Sequence, residues 1–162
     1  MSALGRSIGI AALAIALLAG GCSPVIEDSG ERTVELEELE WEKRPLFIFA
    51  PSADAAPYRE QKQLLEGRSD GLDERDMVVF YVLSAGPSRM NQRELTDADA
   101  AYIRRRFDIP PDEFSVVLVG KDGTEKMRRD APVKLDRIFE RIDAMPMRRR
   151  EMKEQRKDGP NE

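Results

Sequence analysis

The chain predicts an α/β fold: a three-layer sandwich in which a mixed, four-stranded central sheet carries flanking helices. Three observations support that expectation. Leu46–Ala50 and Met77–Leu83 are continuous apolar runs, the pattern of strands buried on both faces, and a helical stretch separates them. Asp122-Gly123 stands between a third apolar run and a short charged one, which is a hairpin signal. Leu135, Ile138, Phe139 and Ile142 then repeat at i, i+3, i+4 and i+7, so a last helix lays one apolar face on the sheet.

The elements follow in order. Residues 23–40 open with Ser23-Pro24 and are rich in acids, with Val34, Leu36 and Leu39 as apolar exceptions; they read as a linker ending in a short helix before Trp41. Residues 41–147 have the length of one compact domain and not of two. Pro45 opens the first strand and Pro51 closes it, and its unbroken apolarity places it at the centre. Asp54 caps and Pro57 starts a helix through Leu65, with Tyr58, Gln61 and Leu65 along one side and Gly67 and Gly71 ending it. After the second strand, Thr96 caps a helix whose apolar face is Ala98, Ala101, Tyr102 and Phe107, and Ile109-Pro110-Pro111 stops it. Phe114–Val119 is the third strand. The Lys121-Asp122-Gly123 turn, in which Asp-Gly accepts positive φ, returns the chain as a short edge strand over Glu125–Arg128. Strand, helix, strand, helix, strand, strand, helix amounts to a right-handed βαβ unit, a crossover helix and an antiparallel hairpin.

Residues 1–22 have the outline of an export signal: Arg6, an apolar run over Ile8–Leu18, then Ala19-Gly20-Gly21-Cys22. The run is too short to cross a hydrocarbon core of roughly 30 Å. Nothing polar in it defines a second face, which disfavours a buried helix with a core cysteine. Small residues before a cysteine resemble the bacterial lipobox, although Ala19 stands where that motif usually has Leu. Two outcomes stay open, lipidation of Cys22 and ordinary cleavage nearby. The first makes the protein an exported lipoprotein on the periplasmic side of a bacterial cell envelope, held to the membrane through its N-terminal lipid.

Arg6 is the sole charged residue of 1–22, so losing that segment moves the formal net charge from −5 to −6. An acidic balance excludes a general nucleic-acid binder, which needs a basic face for the phosphates. The local exception is the tail, 148–162, where six basic residues stand against Glu151 and Glu154 between Arg148 and Lys157. It reads as a charged, solvated helix end that becomes disordered. Thiol redox and peroxidase mechanisms need a thiolate, and no cysteine follows Cys22. No histidine occurs, which removes Ser-His triads and histidine-ligated zinc. No catalytic residue, metal ligand set or cofactor is assigned. Ligands of open α/β sheets bind at the C-terminal ends of the parallel strands, which points to Ser52, Asp54 and Tyr58. Arg75-Asp76, before the second strand, reads as an ion pair or turn contact at the opposite end. Met147, Arg148 and Arg149, beside Met145, form an adaptable surface for an unknown protein or envelope partner.

This order of elements is that of thioredoxin-like domains. Phe49-Ala50-Pro51-Ser52 resembles the segment that precedes the reactive cysteine of thioredoxins and peroxiredoxins, and Ala53-Asp54-Ala55-Ala56 stands in the cysteine's place. Pro110 and Pro111 lie too early to match the cis proline before the third core strand, where Phe114-Ser115 stand nearer. Arg44-Pro45-Leu46, Phe49-Ala50-Pro51-Ser52, Glu74–Val79, Gly120-Lys121-Asp122-Gly123 and Ile142–Arg149 resemble successive blocks of domain-of-unknown-function family 4174, over about residues 39–152. That resemblance implies a thioredoxin-like fold, occurrence in exported bacterial proteins and similarity to domains of animal extracellular-matrix proteins. It implies no activity. Two functional expectations follow: a binding module without thiol chemistry, or an enzyme or small-ligand carrier with its site near Ser52, Asp54 and Tyr58.

Overall fold

A computed structural model of the protein describes residues 31–158; the segment expected to be an export signal, with Cys22, and the first part of the expected linker lie outside the described residues. Strand β1 (Arg44–Ser52) is the centre of the sheet, as its unbroken apolar run requires. It pairs in parallel with β2 (Met77–Ala85), from Arg44 opposite Met77 to Ser52 opposite Ala85. On its other side it pairs antiparallel with β5 (Ser115–Val119), Phe47 opposite Val117, and β5 continues into β6 (Glu125–Arg129). Gly123 takes the positive φ, 68°, that this hairpin turn requires.

The sheet has six strands and not the four expected, in the order β4-β3-β2-β1-β5-β6. The additional pair, β3 (Arg89–Met90) and β4 (Arg93–Glu94), is two residues per strand. Polar side chains fix it: Asn91 Oδ1 accepts from the Val79 N–H at 2.9 Å, and Ser88 Oγ from the Leu83 N–H at 2.9 Å. No apolar run announces such a pair, which is why periodicity misses it.

Alternate β1 side chains feed two cores. Leu46, Ile48 and Ala50 pack with α1 (Ala56–Leu65) and α4 (Leu135–Asp143), where Leu135, Ile138, Phe139 and Ile142 are buried as expected. Phe47 and Phe49 face α3 (Asp97–Phe107), with the Phe47 ring 4.7 Å from that of Phe80 and 4.6 Å from that of Phe107. Two helices on one face and one on the other give the three layers.

Three local expectations need correction. Asp54 does not cap α1: the N-cap is Ala55, with no side-chain bond, and Pro57 in the first turn supplies the start. Gly71 does not end a helix but lies inside a short one, α2 (Ser69–Asp73), where any Cβ would come within 2.7 Å of the Phe139 ring. The buried face of α3 is Asp99, Ala100, Ile103, Arg104 and Phe107; of the face expected only Phe107 lies on it, and Ala98, Ala101 and Tyr102 stand on the opposite side of the helix. Two polar residues turn it inward. Asp99 closes a capping box with Thr96 and accepts from the Thr33 and Val34 N–H groups at 2.7 and 3.0 Å. Burial opposes its charge, but the bonds from Thr33 and Thr96 together outweigh it and hold the carboxyl below its ordinary range. The described part of the linker is thereby docked: Val34 is buried and Leu36–Leu39 forms a 3₁₀ turn.

Candidate functional site

At the C-terminal end of β1, Ser52 is half-buried and Asp54 exposed. Tyr58 is buried, edge-on to Tyr81 at 6.1 Å. Burial raises the Tyr58 pKa, against the opposing charge of Arg89, so its hydroxyl stays protonated. Beneath this corner lies Arg104, which sequence reasoning missed. It donates to the carbonyls of Ala50 at 2.6 Å, Val82 at 2.9 Å and Pro110 at 3.0 Å. Burial lowers its pKa, and it acts as a cap on the ends of the two parallel strands. The corner is therefore closed by an aromatic pair above and a guanidinium below. Every peptide bond among the described residues is trans, and the residue entering β5 is Phe114.

The opposite end of the sheet is where charge collects. Arg44 opens β1, Arg75-Asp76 precede β2, Lys121 follows β5, and α5 (Pro146–Asp158) lies across them. Arg44, 1% exposed, donates to Glu151 at 2.8 and 3.0 Å and to the Arg75 carbonyl. Lys121 bridges Asp76 at 2.8 Å and Glu151 at 3.0 Å. Arg75 holds Asp143 through two bonds while its guanidinium covers the Phe139 ring at 4.1 Å. Arg148, 0% exposed, reaches Glu74 at 2.8 Å and Asp143 at 3.4 Å. Arg44, Arg75, Lys121 and Arg148 thus meet Glu74, Asp76, Asp143 and Glu151, four cations against four anions. Burial disfavours the Glu151 charge, yet the bonds and charges of Arg44 and Lys121 prevail and lower its pKa.

The helix separates the trio expected to face a partner. Met147 is half-buried, Arg148 turns into the ion cluster and Arg149 is exposed, as successive 100° steps dictate. Charge without an apolar stripe reads as a solvated end; in the structure Arg148 and Glu151 anchor α5 through ion pairs.

Beside α5 a cavity of about 400 Å³ opens, with Met145, Pro146 and Met147 as its apolar wall and Lys121, Lys126, Arg141 and Arg150 among its cations. A second groove, about 720 Å³, runs between β6 and α4 and shares Lys126, Arg141 and Ala144 with the first. Neither is lined by Ser52, Asp54 or Tyr58. Trp41, 66% exposed and at a left-handed φ of 68°, borders this end, its N–H donating to the Lys121 carbonyl. Sequence reading singled out Met147 here but not Lys126, Arg141 or Arg150, which share no motif and meet only through the topology.

A mixed sheet with parallel β1 and β2 at its centre and helices on both faces defines a thioredoxin-like fold, and among the described residues it holds no cysteine. The chain belongs to the family described as Domain of unknown function (DUF4174), whose model matches residues 35–151. Human Sushi repeat-containing protein SRPX is 31% identical over 136 residues, covering 81% of this chain and 29% of that protein. Coiled-coil domain-containing protein 80 of Danio rerio is 27% identical over 133 residues, 72% of this chain and 15% of that protein. The chain therefore spans less than a third of the curated relatives it matches. Among solved structures, Plasmodium yoelii Prx1a and thioredoxin peroxidase I align with a TM-score of 0.52 at 17% and 18% identity, over 79% of this chain and 83% of theirs. That likeness is one of fold.

Proposed function

We propose that this protein is an exported binding module of the bacterial cell envelope, anchored through a lipid on Cys22, which uses a thioredoxin-like scaffold to hold a partner and performs no thiol redox chemistry. The observation that carries the reading is the location of the one cysteine: Cys22 precedes the whole domain, and Ala53-Asp54-Ala55-Ala56 stands where the fold's nucleophile would be. Without a thiolate no mixed disulfide or sulfenate can form. Ser52 also has no histidine to activate it. An enzyme or carrier site around Ser52, Asp54 and Tyr58 is the weaker reading, because the large cavities lie elsewhere and Tyr58 is packed against Tyr81.

The test is a thiol-coupled insulin-reduction and peroxide-consumption assay on the full chain carrying Cys22→Ser, paired with recovery of a partner from detergent-solubilised membranes. No turnover and a saturable partner are expected. Turnover by the thiol-free chain would overturn the reading.

A further inference from the structure

The chain is acidic as a whole, yet its two joined grooves are basic. Some of that charge is already neutralised. Lys126 pairs with Asp122 at 2.6 Å and Arg137 with Glu140 at 3.1 Å, while Arg44 and Lys121 are held by Glu151 and Asp76. Arg129, Arg141 and Arg150 remain, and none of them forms an ion pair with a carboxylate among the described residues. Arg141 is nevertheless fixed in place, since its Nε donates to the Lys126 carbonyl at 3.1 Å. That bond also occupies a β6 carbonyl, which disfavours addition of a further strand at that point. Met145 and Met147 supply a polarizable, adaptable wall beside the cations. Arginine and methionine are residue types enriched at protein interfaces.

We propose that this groove binds an acidic segment of a partner protein, carboxylates on Arg129, Arg141 and Arg150 and an aliphatic side chain on the Met145–Met147 wall. The proposal rests on the reading of the domain as a binding module and names the chemistry of what it binds. Two joined cavities suit an extended occupant better than a single small anion, and three unpaired guanidiniums suit carboxylates, which they grip through two bonds each.

The probe is a fluorescein-labelled hexapeptide alternating Glu and Leu, titrated against the full chain by anisotropy, with Trp41 fluorescence as a second readout. Saturable binding is expected, weakening as salt rises from about 50 to about 500 mM. Arg141→Glu with Arg150→Glu should weaken it by about tenfold or more, whereas Arg149→Glu, on another side of the same helix, should change it by less than about twofold. All three positions are exposed, so the variants keep the parent's circular dichroism spectrum and unfolding midpoint to within a few degrees. Equal binding of the Gln/Leu peptide, or equal weakening by Arg149→Glu, overturns the proposal. So does binding of inorganic phosphate or of phosphatidylglycerol vesicles when the peptide is not bound. A membrane partner that the Arg141→Glu, Arg150→Glu chain still retains refutes the groove assignment and leaves the binding-module reading standing; absence of any partner, or thiol-coupled turnover, refutes that reading itself.

Discussion

Phe139 carries more than its position on an apolar face implies. Its ring fills the gap left by Gly71, faces the Arg75 guanidinium at 4.1 Å and Arg68 at 5.7 Å, and closes the α4 side of the sheet. Phe139→Ala should therefore cost about 3 to 5 kcal/mol, a large share of the stability of one small domain. Glu140, 65% exposed and paired only with an equally solvated Arg137, should change stability by about 0.5 kcal/mol or less when replaced by Ala. Urea unfolding of the two variants checks both values, and equal midpoints would remove Phe139 from the core. Periodicity alone exposes the burial of Phe139, since four apolar residues at helical spacing admit one face. It does not expose Asp99 or Arg104, because reading polarity as exposure assigns both to solvent. Each is buried because it satisfies backbone groups that have no other partner: N–H groups of the linker for Asp99, strand-end carbonyls for Arg104.

Among elements, the strands and α4 were legible because burial leaves a contiguous or periodic apolar record. The β3–β4 pair and the role of α5 were not. Helix α5 has Arg148 buried in ion pairs where an ordinary helix has Leu, so its anchoring is written in charge pairing with Arg44, Glu74, Lys121 and Asp143, residues scattered over the chain. The candidate site was half legible for the same reason: Met147 stood out, but the cations facing it come from β6, α4 and α5. This anchoring has a pH dependence whose sign follows from Glu151. Its folded pKa is depressed, so the unfolded chain binds the proton more tightly, and the stabilisation is complete above the ordinary glutamate value of about 4.3 and is lost as pH falls through the lower folded value. Asp99 and Asp122, also depressed, act in the same direction. Urea midpoints should hold from about pH 7 to about pH 5 and decline below about pH 4.3. Glu151→Gln should be less stable at neutral pH and decline less steeply; an unchanged slope would mean that other carboxylates carry the effect.

For the molecule as a whole, location and folding are separable. Every described strand and helix lies after Cys22 in the chain, so Cys22→Ser should leave the unfolding midpoint unchanged while abolishing retention in washed membranes. Persistent membrane retention of that variant would refute the lipid anchor. The ion cluster bears on a different event, the emergence of the chain during synthesis. Arg44 enters the central strand early, but its 2.8 Å carboxylate partner, Glu151, comes 107 residues later, and until then Asp76 at 3.8 Å is the nearest acid it meets. A nascent chain that has not yet released α5 must bury an under-compensated guanidinium at the foot of its central strand, a costly state. Helix α5 thus completes a charge balance that the first strand opens: a chain ending before Glu151 leaves Arg44 without its 2.8 Å carboxylate and is the less stable for it.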